Sequence, residues 1–100
     1  MAHTQLTSKH ISHWRGLGHR LNPVVLIGNN GLTDKVLHEI DVSLKAHELI
    51  KIKVHGDDKA LRAQMLGEIC EKTGAIAVHH IGKQLLVYRA AETPRILFPK

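Results

Sequence analysis

The chain has 100 residues, 43% hydrophobic and 23% charged, and its 14 Lys and Arg against 9 Asp and Glu give a formal charge of +5 at pH 7. That length suits one domain with a modest core, and no apolar run approaches the roughly 18 residues that a bilayer crossing requires. The single Cys70 excludes an internal disulfide and offers no Cys pair for zinc. A first helix is expected from the stripe Ile11, Trp14, Leu17, with Thr7 as its cap and Leu6 against Ile11 as a hydrophobic staple. Gly16 and Gly18 weaken its end and Pro23 forbids continuation. Val24 to Ile27 is an unbroken apolar run, which predicts a strand buried on both faces. After Gly28-Asn29-Asn30-Gly31 the period becomes helical: Thr33 caps, Asp34 lies in the first turn, and Val36, Leu37, Ile40 and Leu44 form a stripe ending near His47. Leu49 to His55 alternates, with Ile50, Ile52 and Val54 on one side and Lys51, Lys53 and His55 on the other. Asp57 or Asp58 caps a third helix with the stripe Leu61, Met65, Leu66, Ile69, and Gly74 ends it. Ala75 to Ile81 and Gln84 to Arg89 then read as a hairpin around Gly82-Lys83. The order αβαβαββ predicts an α/β fold, one mixed four-stranded sheet with packed helices, as a single domain over 1–100 with a tail from Ala90.

The segment from Gly28 to Gly31 has two readings. Any strand-to-helix turn can use Gly and Asn to reach positive φ. Alternatively, glycines at both ends strip away Cβ atoms so that a sugar-phosphate backbone can approach the peptide chain. The N–H groups of the following helix would then face phosphate oxygens, the device of the GxxG loop in KH domains. A simple hairpin is excluded, because a capped helix rather than a strand follows Gly31.

The segments "LTSK" from Leu6, the pattern H-x-L-x-P-V-V-L-I-G-x-x-G-L-T from His19 to Thr33, "HELIKIKV" from His47 to Val54 and "IGKQLLVYR" from Ile81 to Arg89 carry a resemblance. From Leu6 to Arg89 the chain resembles the CRM (chloroplast RNA splicing and ribosome maturation) domain in its short bacterial YhbY-like form. The resemblance implies an RNA-binding protein associated with precursors of the large ribosomal subunit, with a fold like the C-terminal domain of translation initiation factor 3. It assigns Gly28, Asn29, Asn30 and Gly31 to the RNA-facing loop, and places Lys9, Arg15, Lys51, Lys83 and Arg89 at basic positions of the pattern. The chain departs from the pattern at Ile11, Asn22 and Asn29, where basic residues are common, and at Ala90, where Pro is usual. Arg20 and Lys35 are expected near the loop as compensation.

Other constellations are weaker. Nine His are present, but carboxylates and the lone Cys are scattered, so no metal site is expected. His79 and His80, adjacent on a strand, are expected on opposite faces. Protonating the nine His would add positive charge, so RNA affinity is expected to grow below about pH 6.5. No nucleophile–base pair is suggested and GNNG lacks the Lys-Ser/Thr ending of a P-loop. His47-Glu48 more simply opens a strand. The expectation is therefore a non-enzymatic cytoplasmic RNA-binding protein with no cofactor, no membrane partner and no small-molecule substrate. The competing reading is a protein-interaction module whose basic face meets an acidic protein.

Overall fold

The computed structural model describes residues 8–90. The expected Thr7 cap, the Leu6 staple and the tail beyond Ala90 lie outside them. The elements are α1 (Ser8–Gly18), β1 (Pro23–Ile27), α2 (Asp34–His47), β2 (Leu49–Val54), α3 (Lys59–Thr73), β3 (Ile76–Ile81) and β4 (Gln84–Tyr88), in the expected order. The strands form one sheet ordered β1-β2-β4-β3. β1 and β2 are parallel and joined by α2, while β4 runs antiparallel to both β2 and β3.

Each face of the sheet has its own core. On one face Ile50, Ile52 and Val54 of β2 meet Val25 and Ile27 of β1, Leu85 and Val87 of β4, Ile40 and Leu44 of α2, and Met65 and Ile69 of α3. On the other, Leu49, Val78, Leu86 and Tyr88 pack beneath Trp14 of α1. The Trp14 and Tyr88 rings stack with centroids 4.0 Å apart, a close aromatic pair worth about 0.5–1.5 kcal/mol beyond the area it buries.

Three local features match the sequence reading. Thr33 caps α2, its hydroxyl accepting from the Val36 N–H at 3.2 Å. Asp58 caps α3 by accepting from the Leu61 N–H at 3.0 Å. Gly74 closes α3 in the left-handed region, φ 74°.

Four expectations are corrected. β1 is not buried on both faces: Val24 and Leu26 are 49% and 63% exposed, because β1 is an edge strand and α1 lies across β2, β3 and β4 instead. In α1 the packed face passes through Gly18 rather than Leu17. A Cβ at Gly18 would run into the Leu86 side chain, so only glycine lets the helix end lie this close to the sheet. In α3 the buried position is Arg62, not the exposed Leu61. The Arg62 guanidinium reaches the Gly56 carbonyl at 3.1 Å and His80 Nε2 at 3.3 Å, satisfying a charge in a core position. Glu48 does not open β2 but turns the chain out of α2. It is fully buried at φ 65°, rare for a side-chain-bearing residue, and its N–H donates to the Leu44 carbonyl at 2.8 Å.

Candidate nucleic-acid interface

The GNNG segment leaves the carboxyl end of β1. The Gly31 N–H donates to the Gly28 carbonyl at 3.1 Å and closes a turn, and the Thr33 N–H donates to the Gly31 carbonyl at 3.1 Å. Of the four residues only Gly31 has positive φ, at 69°, so both asparagines occupy ordinary turn backbone. The two glycines are therefore unlike. Gly31 is required by its backbone angle. Gly28 has no such angle, and a Cβ built on it meets nothing within 4 Å. Packing among the described residues gives no reason for glycine at position 28.

Neighbouring elements converge on this end of the sheet. The His55 N–H donates to the Ile27 carbonyl at 2.8 Å and the Val54 N–H to the Lys83 carbonyl at 2.7 Å, so His55 and the β3–β4 turn flank the loop. Behind it Leu61, Gln64, Met65 and Glu68 of α3 line a shared hollow. Lys35 is exposed in the first turn of α2. Lys83 pairs with the exposed Asp57 at 3.0 Å, holding that carboxyl below its usual range. A pair this exposed is worth little and leaves the ammonium easy to recruit.

A second basic group lies on the α1 side of the sheet. Arg15, His19, Lys51, His79 and Gln84 surround a hollow floored by Leu86. His79 arrives there through a bulge in β3. Ala77 pairs with Val87 and His79 with Leu86, so Val78 and His79 share the α1 face, while His80 turns to Arg62 on the other. Burial, then Arg15, His19 and His80, hold the His79 pKa below its ordinary 6.5. Lys53 is exposed on the same face, one alternation beyond Lys51. Lys9 is exposed near the start of α1.

Two of the expected site residues lie elsewhere. Arg20 is not near the loop: it borders a hollow with Leu17, Asn22, Val24, His47 and Lys51, at the amino end of β1. β1 separates it from Gly28 by five residues, about 16 Å of strand. Arg89 is turned inward at the far end of β4. Its guanidinium donates to Asp41 Oδ1 at 2.7 Å, to the Asp41 carbonyl at 3.2 Å and to the Thr73 carbonyl at 2.7 Å, tying β4 to α2 and α3. These bonds join the three elements, and they occupy the guanidinium that was expected to face RNA. His19 and His79, absent from the sequence-derived set, belong to the basic hollow. The sequence signal for His19 was its spacing of four residues, one helical turn, from Arg15.

Among the described residues no Trp, Tyr or Phe ring is exposed for stacking, since Trp14 and Tyr88 are buried, and the exposed rings are imidazoles such as those of His13, His38 and His55. No three His, Cys, Asp or Glu side chains among them converge as metal ligands, and no helix among them is long and apolar enough to cross a membrane. The arrangement offers basic groups and an unobstructed backbone turn, both suited to an extended anion.

Known proteins give the same pattern a lineage. A Haemophilus influenzae protein named "RNA-binding protein" is 43% identical over 97 residues, 97% of this chain and 98% of its own. A Pseudomonas aeruginosa protein named "Probable RNA-binding protein" is 38% identical over 89 residues, 89% of this chain and 86% of its own. The solution structure of a Staphylococcus aureus protein, 29% identical, superposes with a TM-score of 0.83 over 95% of this chain and 100% of that one. The family model of the CRS1 / YhbY (CRM) domain matches residues 6–89. The chain belongs to the CRM domain family.

Proposed function

We propose that this protein binds RNA, and in particular ribosomal RNA in precursors of the large ribosomal subunit, without catalysing a reaction, in the cytoplasm. The GNNG turn takes hold of the sugar-phosphate backbone, and the charges of Lys35, Lys83, Arg15, Lys51 and Lys9 supply an electrostatic footprint around it, with Arg20 extending that footprint toward the amino end of β1. The names of the relatives support RNA as the ligand. The observation that carries the loop's part is Gly28. Nothing among the described residues needs a glycine there, whereas a ligand backbone pressed against the turn from outside does. Asp34, in the first turn of α2, stabilises the helix but opposes a phosphate at its N-terminus. Close approach is therefore expected at Gly28 and the asparagines rather than on the helix axis. With no Trp, Tyr or Phe ring exposed among the described residues, the contact reads the shape of folded RNA more than its sequence.

Two substitutions test the loop. Gly28→Ala should leave the melting temperature unchanged and weaken RNA binding. Asn29 and Asn30 changed together to Asp should weaken it at least about tenfold, because anions would face the phosphates. Circular dichroism separates lost binding from lost fold. Unchanged affinity in both folded variants makes GNNG a plain turn. For the ribosomal assignment, low-salt gradients of cell lysate should carry the protein with large-subunit or pre-large-subunit particles and release it as salt rises. Residence at the top of those gradients, or with small subunits alone, contradicts it.

A further inference from the structure

The hollow beside α1 gathers basic side chains from α1, β2 and β3 at one point, with none of them paired to a carboxylate. Lys45, Lys72, Lys83 and Arg89 each sit within 3.4 Å of a carboxylate. Around the hollow no carboxylate appears: its rim is Arg15 from α1, His19 just beyond its end, Lys51 from β2, His79 from β3 and the neutral Gln84 from β4. Arg15 is held in place through Nε, which donates to the Val78 carbonyl at 3.3 Å. Its two terminal nitrogens make no hydrogen bond within the described residues, nor do the side chains of His19, Lys51 and His79.

Three unrelated local devices converge to build this rim. Gly18 lets the end of α1 settle onto Leu86, which lowers Arg15 and His19 to the sheet. The β3 bulge turns His79 to the α1 side. The alternation of β2 places Lys51 on that same side, opposite Leu86. A fold that gathers like charges at one point without a counter-charge loses energy to repulsion, unless an anion supplies the missing partner.

We infer that this hollow is a phosphate-binding site, that its ligand is a backbone phosphate of the bound RNA, and that His79 takes up a proton as that phosphate enters. The inference rests on RNA being the ligand proposed above and adds a site apart from the GNNG loop. Lys51 lies three strand residues before Val54, the partner of Ile27 at the loop's base, about 10 Å along the strand. One RNA strand can therefore engage the loop and the hollow together.

The proton linkage follows from the charges facing His79. The groups around it are Arg15 on α1, His19 just beyond that helix, Lys51 on β2 and, next in β3, His80, which turns to Arg62 on the opposite face. Burial first, and then the neighbouring basic groups led by Arg15, hold His79 neutral near pH 7 in the free protein. A phosphate reverses the local sign and favours the imidazolium, which then donates to a phosphate oxygen in a charge-assisted bond. Affinity for RNA must then rise as pH falls. The gain is confined between the free-state pKa of His79, below 6.5, and its higher bound-state value.

The test has two arms. In the first, affinity for a single-stranded RNA oligonucleotide is measured at pH 5.8 and 7.4, at constant low salt, for the native protein, His79→Gln and His13→Gln. His13 is exposed on α1 and lies outside the hollow. The native protein and His13→Gln should bind severalfold tighter at the lower pH, and His79→Gln should lose most of that gain. In the second arm, NMR titration of the histidine rings follows His79 in the native protein alone, with inorganic phosphate and with the oligonucleotide. RNA should raise the His79 pKa by at least about half a unit, a threefold change in proton affinity. An unshifted His79 overturns the inference, and so does a shift with phosphate but none with RNA. RNA binding that is absent at both pH values overturns the proposed function. A His79 that responds to RNA while loop variants bind normally removes the loop and retains the hollow.

Discussion

Replacing Arg89 with Ala separates a structural guanidinium from an RNA ligand. The side chain is 22% exposed and makes three hydrogen bonds, to the Asp41 carboxylate, the Asp41 carbonyl and the Thr73 carbonyl. Bonds from an ionised donor contribute about 1.5 kcal/mol each at the lower end. The Asp41 side chain keeps 35% exposure, so solvent screening reduces the total to about 2–3 kcal/mol. For a domain of this size each kcal/mol moves the melting temperature by about 4–8 °C, and the urea midpoint should fall by about 1–2 M. Trp14 is the sole tryptophan and is fully buried, so its fluorescence reports the transition directly. The pH dependence is fixed in sign. Arg89, and then Lys45, hold the Asp41 carboxyl below its ordinary 3.8. The share that comes from the Asp41 carboxylate is therefore fully present above about pH 4 and is lost as pH falls through the lowered folded-state value, where the gap between native and variant stabilities should narrow to the share of the two carbonyl bonds. A variant as stable as the native protein that nevertheless fails to bind RNA would refute the structural role and return Arg89 to the interface.

Two further predictions concern binding and packing. If about four phosphates are neutralised, the log–log salt slope for single-stranded RNA should be near −2.8, about fifty-fold in affinity between 50 and 200 mM. Lys51→Ala should flatten that slope by about 0.7 with little change in sequence preference, and a salt-independent affinity would refute the electrostatic footprint. The two glycines near the end of α1 should respond oppositely to Ala. Gly16 has open space around a built Cβ, so Gly16→Ala should stabilise by about 1 kcal/mol through helix propensity. Gly18→Ala drives a methyl into Leu86 at a cost of about 1–3 kcal/mol, so thermal melting should rise for the first and fall for the second.

The elements that sequence reasoning recovered are those set by local chemistry. Thr33, Asp58 and Gly74 act as caps through bonds to residues within one turn, and the alternation of β2 follows from the pleat alone. What it missed depends on long-range neighbours. Val24 to Ile27 has the composition of a strand covered twice, yet β1 is an edge, and strand order is not a property of five residues. Leu61 and Arg62 exchange places because the Gly56 carbonyl and His80 offer acceptors to a buried guanidinium, and those partners lie 6 and 18 residues away. The loop residues were found by their glycines. The hollow was only half found: Arg15 and Lys51 stood out as basic positions, but the bulge that brings His79 beside them leaves no mark in the alternation of β3.

The strand order also governs how this protein can be made. β4, the last of the described strands, lies between β2 and β3. During synthesis, at about 5–20 residues per second, β1, α2 and β2 can assemble while β3 still waits for β4, its hydrogen-bonded neighbour among the described strands. Until Gln84 to Tyr88 emerge, two strand edges stay open and Trp14 lacks the ring it stacks on. The nascent domain is therefore most exposed to misassociation just before its final strand closes the sheet.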